Sequence, residues 1–98
     1  MPVYKLLGAC SDMVPSYASG GFYAPVKGID GLRAELEGYM EKGYQDAKIK
    51  IGRNLDRPGS PLCYMANQEC SVTVEEDIRR METAREVLGT GRLIVDTN

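Results

Sequence analysis

Residues 46–51 read Asp-Ala-Lys-Ile-Lys-Ile and are closed by Gly52. Successive side chains of a strand point to opposite faces. Ala47, Ile49 and Ile51 therefore share one face, and Lys48 and Lys50 share the other. The apolar face needs a covering layer, and the sequence on either side supplies candidates for it.

Upstream, residues 30–42 read as a helix. Asp30 suits the N-cap, and Leu32, Leu36, Tyr39 and Met40 recur at spacings of three and four along one face. Lys42 suits the carbonyl end, and Gly43 suits the left-handed position that follows. Downstream, Thr73 and Glu76 have capping-box spacing and predict a helix over 74–88. Its expected apolar stripe is Ile78, Met81, Ala84 and Leu88, with Gly89 and Gly91 ending it. Arg79, Arg80 and Arg85, interleaved with Glu75, Glu76, Asp77, Glu82 and Glu86, read as a solvated mixed-charge face. Beyond the helix, RLIVDTN gives a strand over 92–97; before the first helix, MVPSYAS gives one over 13–19, with residues 1–12 as its lead-in. Strands alternating with helices imply right-handed crossovers and a parallel sheet of the α/β class.

In RLIVDTN the same alternation turns Leu93 and Val95 towards the helices and Ile94, Asp96 and Asn98 away from them. Two strands thus end in Lys-x-Lys and Asp-x-Asn on the face opposite the helices. That end of a parallel sheet is where ligands bind. The blander reading is an open sheet with one wet face. Parallel sheets normally bury both faces, however, so paired charged dyads at the C-terminal ends favour a site. Residues 53–71, rich in Pro, Gly and Asn, far exceed a usual βα loop of about 2–6 residues and leave from the same end. They read as a loop over the site or as a surface insertion. Tyr17 and Ser19 share a strand face nearby and either line a pocket or pack half-buried.

AKIKIG at 47–52, followed by IVDTN at 94–98, resembles the barrel domain of the enolase superfamily, in its mandelate racemase and muconate lactonizing enzyme branch. PVYKLLG at 2–8 resembles the segment leading into that barrel, VPSYASGG at 14–21 its first strand, and SVTVEEDIRRMETAREVLG at 71–89 its second barrel helix. YASGGFY at 17–23 is similar to branch members that dehydrate tartrate and related acid sugars. The resemblance implies three βα-type units forming the first part of a (β/α)8 TIM barrel.

It also implies proton abstraction from the carbon α to a carboxylate, with the enediolate stabilised on Mg²⁺. Lys50 would match the general base. Lys48 would match the companion that contacts the substrate carboxylate and lowers its neighbour's pKa. Asp96 would match a metal ligand and Asn98 a substrate-contacting position. The chemistry is coherent, because a free lysine with pKa about 10.4 is neutral to only about one part in a few thousand at pH 7. Burial and an adjacent like charge bring a catalytic lysine towards about 7–8. Mg²⁺ prefers hard oxygen ligands, which suits Asp96 and not the lysines.

Composition narrows the alternatives. The 98 residues carry 12 basic and 14 acidic side chains, a net charge of −2, and no histidine. Histidine-dependent nucleophile and metal chemistry is excluded from this chain, and the acidic balance argues against nucleic-acid or anionic-membrane partners. No apolar run reaches the ~18 residues of a membrane span. The spacing from Cys63 to Cys70 fits no zinc pattern, and Cys10, Cys63 and Cys70, without an export signal, read as reduced thiols of a cytoplasmic protein. Met40 and Met81 read as core.

A complete barrel takes about 250 residues and eight strands, whereas this sequence reaches Asn98 just past its third. The expectation is therefore a fragment of a Mg²⁺-dependent dehydratase, acting on a small hydroxy acid or acid sugar in its parent and inactive by itself. Open strand edges would invite self-association. The alternatives are a racemase, epimerase or cycloisomerase of the same superfamily, or a non-catalytic α/β interaction module.

Overall fold

The computed structural model describes residues 1–23, 27–52 and 73–97. Their order is α1 (Val3–Leu6), β1 (Ala18–Ser19), α2 (Gly28–Glu41), β2 (Ala47–Lys50), α3 (Val74–Leu88) and β3 (Leu93–Asp96). The strands form one sheet in the order β1-β2-β3, both pairs parallel. Leu32 and Leu36 of α2, Ala47 and Ile49 of β2, and Ala84 and Leu88 of α3 make one buried core. The two helices also pack against each other, so they cover the same face of the sheet. Doubly wound sheets reverse strand order and cover both faces. Sequential parallel strands with helices on one side match the wall of a barrel, and the chain is an α/β protein whose open three-stranded sheet is consistent with a partial (β/α)8 barrel.

Local signals explain most boundaries. Thr73 Oγ1 accepts from the Glu76 N–H at 3.2 Å, while the Glu76 carboxylate accepts from the Thr73 N–H at 2.8 Å, which closes the capping box at the start of α3. After α2, Gly43 takes φ +95°, where a side chain would be strained, and its N–H bonds the Met40 carbonyl at 3.0 Å.

Other boundaries differ from the expected ones. The strand expected over 13–19 is reduced to Ala18–Ser19. Met13 and Val14 are largely exposed, so nothing rewards their β preference, and Pro15 has no N–H to pair. Tyr17 consequently lies before the strand. Within the lead-in, residues 3–6 form the short helix α1, and Cys10 is exposed. Helix α2 starts at Gly28 with Lys27 at the N-cap, which places Asp30 inside the first turn; there its charge still favours the helix dipole. Val95, expected against the helices, is 41% exposed, because β3 is an edge strand of the sheet. The loop expected over 52–72 lies outside the described residues except for Gly52, as do Cys63 and Cys70. No helix among the described residues is long and apolar enough to cross a membrane.

Candidate active site

Register places the charged dyads. Lys48 pairs with Ile94 and Lys50 with Asp96 across β2 and β3. In a parallel ladder, registered residues point to the same face, here the one away from the helices. Lys50 Nζ donates to Asp96 Oδ2 at 2.7 Å, and Lys48 Nζ lies 3.6 Å from the same oxygen. The Lys50 side chain is only 15% exposed and that of Asp96 31%. Two ammonium groups therefore converge on one carboxylate at the C-terminal ends of neighbouring strands. Ser19 registers with Lys48 and occupies the same face. Asn98 lies outside the described residues.

On the helix side, the same end of the sheet is tied by charged groups that the sequence pattern assigned to solvent. Asp77 and Arg80 are buried, at 5% and 4% exposure, and are no part of a solvated face. Ile78, expected in the apolar stripe, is 45% exposed instead. Arg80 donates from Nη2 to the carbonyl of Gly21 and, at 3.3 Å, to that of Lys50. Its guanidinium lies 4.3 Å from the centre of the Tyr23 ring. Asp77 accepts from the Gly52 N–H at 2.8 Å and from the Tyr23 hydroxyl at 2.5 Å. Burial is the strongest influence on Arg80 and lowers its pKa, against the opposing pull of Tyr23, Asp77 and Glu35.

The loop after β1 is anchored a second time, from α2. Glu35 Oε1 accepts from the Gly21 N–H at 3.1 Å and from the Tyr39 hydroxyl at 2.7 Å. Lys27 pairs with Glu35 Oε2 and donates to the Phe22 carbonyl at 2.7 Å. Gly21 is required here, since φ is +65° and a Cβ would stand 2.6 Å from Ile49. Burial pushes the Glu35 carboxyl up, but the Lys27, Tyr39 and Gly21 donors together outweigh it and hold the group below its ordinary range. Burial and the neighbouring Glu35 carboxylate push the Tyr39 hydroxyl up to about 12.

A pH dependence follows from Glu35. Because its pKa is depressed in the fold, its contribution is present above the unfolded value of about 4.3. It is lost as pH falls through the lower folded value. Unfolding free energy measured in urea is expected to decline below about pH 4.3, and Glu35→Gln to remove part of that decline. Identical acid limbs for the two proteins would contradict this.

No protein-family model matches the chain. Over 98 residues, 99% of the chain, it is 34% identical to an arabinonate dehydratase of Saccharolobus solfataricus (strain ATCC 35092 / DSM 1617 / JCM 11322 / P2). The chain spans 21% of that protein's length. Along almost its whole extent it is thus similar to about a fifth of a dehydratase.

Proposed function

We propose that these residues form part of the active site of a Mg²⁺-dependent acid-sugar dehydratase of the enolase superfamily. The observation that carries this reading is the convergence of Lys48 and Lys50 on the Asp96 carboxylate at the C-terminal ends of adjacent parallel strands. The similarity to an arabinonate dehydratase supports the same chemistry and suggests an aldonic acid as substrate.

In this reading Lys50, as the free amine, takes the proton from the carbon next to the substrate carboxylate. The electron pair left behind forms an enediolate, whose collapse breaks the bond to the β-hydroxyl. That group leaves as water after gaining a proton, and the enol tautomerises to a 2-keto-3-deoxy acid. The Lys48 ammonium contacts the carboxylate and stabilises its developing charge. Asn98 is assigned a substrate contact.

Asp96 is a hard oxygen donor and suits one ligand position of Mg²⁺. No three His, Cys, Asp or Glu side chains come together among the described residues. One carboxylate beside two ammonium groups does not hold the ion, so this reading assigns the other ligands, and the acid that protonates the leaving hydroxyl, to polypeptide outside these residues. When bound, Mg²⁺ would supply positive charge that offsets the negative charge developing on the substrate.

The test is to incubate the full-length gene product with Mg²⁺ and a panel of aldonic acids and to assay 2-keto-3-deoxy acid. Water loss from at least one aldonate is expected. A folded protein that forms no keto acid from any of them would overturn the dehydratase. Exchange of the α-proton with D₂O without water loss would favour a racemase instead.

A further inference from the structure

We propose that Arg80 is a positioning residue that fixes the height of Lys50 above the sheet. This inference rests on the reading of Lys50 as the proton-transfer group. It starts from the buried charges that the proposed chemistry leaves unused, Arg80 and Asp77 of α3.

The two side chains in question lie on opposite faces. Lys50 projects to the open face, where it meets Asp96. Arg80 approaches from the helix layer and touches only backbone at this point, the carbonyls of Gly21 and Lys50. Those carbonyls lie at the last backbone bonds between β2 and the chain after β1, where the Lys50 N–H donates to the Gly21 carbonyl at 3.3 Å. A strand end held only by its last ladder bonds frays, and a base at a fraying end has no defined geometry. Arg80 adds a clamp there: the two hydrogens of one nitrogen reach the carbonyl of the last residue of β2 and that of Gly21 in the loop after β1.

The rest of the cluster completes the constraint. Three consecutive N–H groups at the end of β2 are held by three different elements. That of Lys50 donates to the Gly21 carbonyl at 3.3 Å, and that of Ile51 to the Asp96 carbonyl at 3.1 Å. That of Gly52 donates to the Asp77 carboxylate at 2.8 Å. The Gly21 peptide is gripped at both ends, its N–H by Glu35 and its carbonyl by Arg80. Two helices thus hold the loop after β1, and that loop in turn helps hold Lys50.

The geometry calls for arginine. A guanidinium presents diverging donors in a fixed plane, and here that plane also lies over the Tyr23 ring. A lysine ammonium at the same place would keep the charge but could not hold both carbonyls and the ring contact together. Misplacing a reacting group by about 1 Å costs on the order of 100-fold in rate.

The experiment is Arg80→Lys in the full-length gene product, read in two ways. Amide hydrogen exchange is expected to quicken by at least about tenfold at Lys50 and Gly52, with core amides such as Ile49 and Leu88 changing by less than about threefold. With an aldonate substrate, kcat is expected to fall by about 10–100-fold and KM to stay within about twofold. Uniform acceleration of exchange would show a merely structural role and overturn the proposal. Unchanged exchange at Lys50 and Gly52 would do the same. Should Arg80→Lys fail to fold, Arg80→Gln, which keeps one planar NH₂ donor without the guanidinium fork, is read in the same way; unchanged Lys50 exchange in it would overturn the proposal. The exchange arm needs no substrate, so failure of Lys50 as base, seen as turnover surviving Lys50→Met, is distinguishable from failure of Arg80 to hold it.

Discussion

Lys50→Met in the full-length gene product is expected to lower kcat by about 10²–10⁴-fold, the usual contribution of a positioned proton-transfer group. Methionine keeps most of the lysine stem and its packing but cannot accept a proton. Stability should change less than turnover, because Asp96 keeps the Lys48 ammonium as a partner at 3.6 Å. Loss of turnover with an unchanged unfolding transition would therefore isolate the chemical role. Lys48→Met makes the contrast. Lys48 stands further from Asp96, at 3.6 Å against 2.7 Å, and its assigned task is to contact the carboxylate. Its loss is expected to raise KM as well as lower kcat, whereas Lys50→Met should leave KM close to its original value. Retention of more than about a tenth of kcat by Lys50→Met would show that another group takes the proton.

The open face of the sheet was legible because two backbone regularities set it. Period-two alternation fixes which side chains share a face, and the ladder fixes which residues stand side by side. Lys48, Lys50 and Asp96 needed nothing further to be brought together, and Ser19 joins them by the same register. The helix side was less legible, because a helical stripe can be drawn in more than one phase. On α3, the sets 78, 81, 84, 88 and 77, 80, 84, 88 both have helical spacing and share Ala84 and Leu88. Hydrophobicity selects the first; the structure buries the second, leaving Ile78 exposed and Met81 at the margin of the core. What reverses the choice is the end of β2, where the Gly52 N–H and the Gly21 and Lys50 carbonyls take charged side chains as partners. The spacing of Asp77 and Arg80 was visible in the sequence. The strand-end backbone that they hold is a tertiary fact. Likewise, Val14 and Tyr17 favour a strand locally, but among the described residues the pairing with β2 begins only at Ala18.

The same backbone demand makes Asp77→Leu the substitution expected to destabilise the fold most. Removing one partner of a buried pair leaves the other charge uncompensated and costs about 3–5 kcal/mol. Here the loss also strips the Gly52 N–H and the Tyr23 hydroxyl of their acceptor. A domain of this size has only about 5–15 kcal/mol of stability in total, so urea unfolding should register the change as a large shift in midpoint. Asp77→Asn keeps an oxygen for Gly52 and is expected to cost less than Asp77→Leu. It also provides a measurable variant if the leucine form does not fold. The decisive comparison is the double variant Asp77→Leu/Arg80→Leu. If the damage in Asp77→Leu comes from a stranded guanidinium, removing that guanidinium cannot double the damage. The double variant should be destabilised by less than the sum of the single ones, with a coupling of about 2–3 kcal/mol. Additivity within about 0.5 kcal/mol would mean that Asp77 and Arg80 act separately, each through its own backbone partners, and that their burial side by side, with 4.0 Å from Arg80 Nε to Asp77 Oδ1, carries no electrostatic weight.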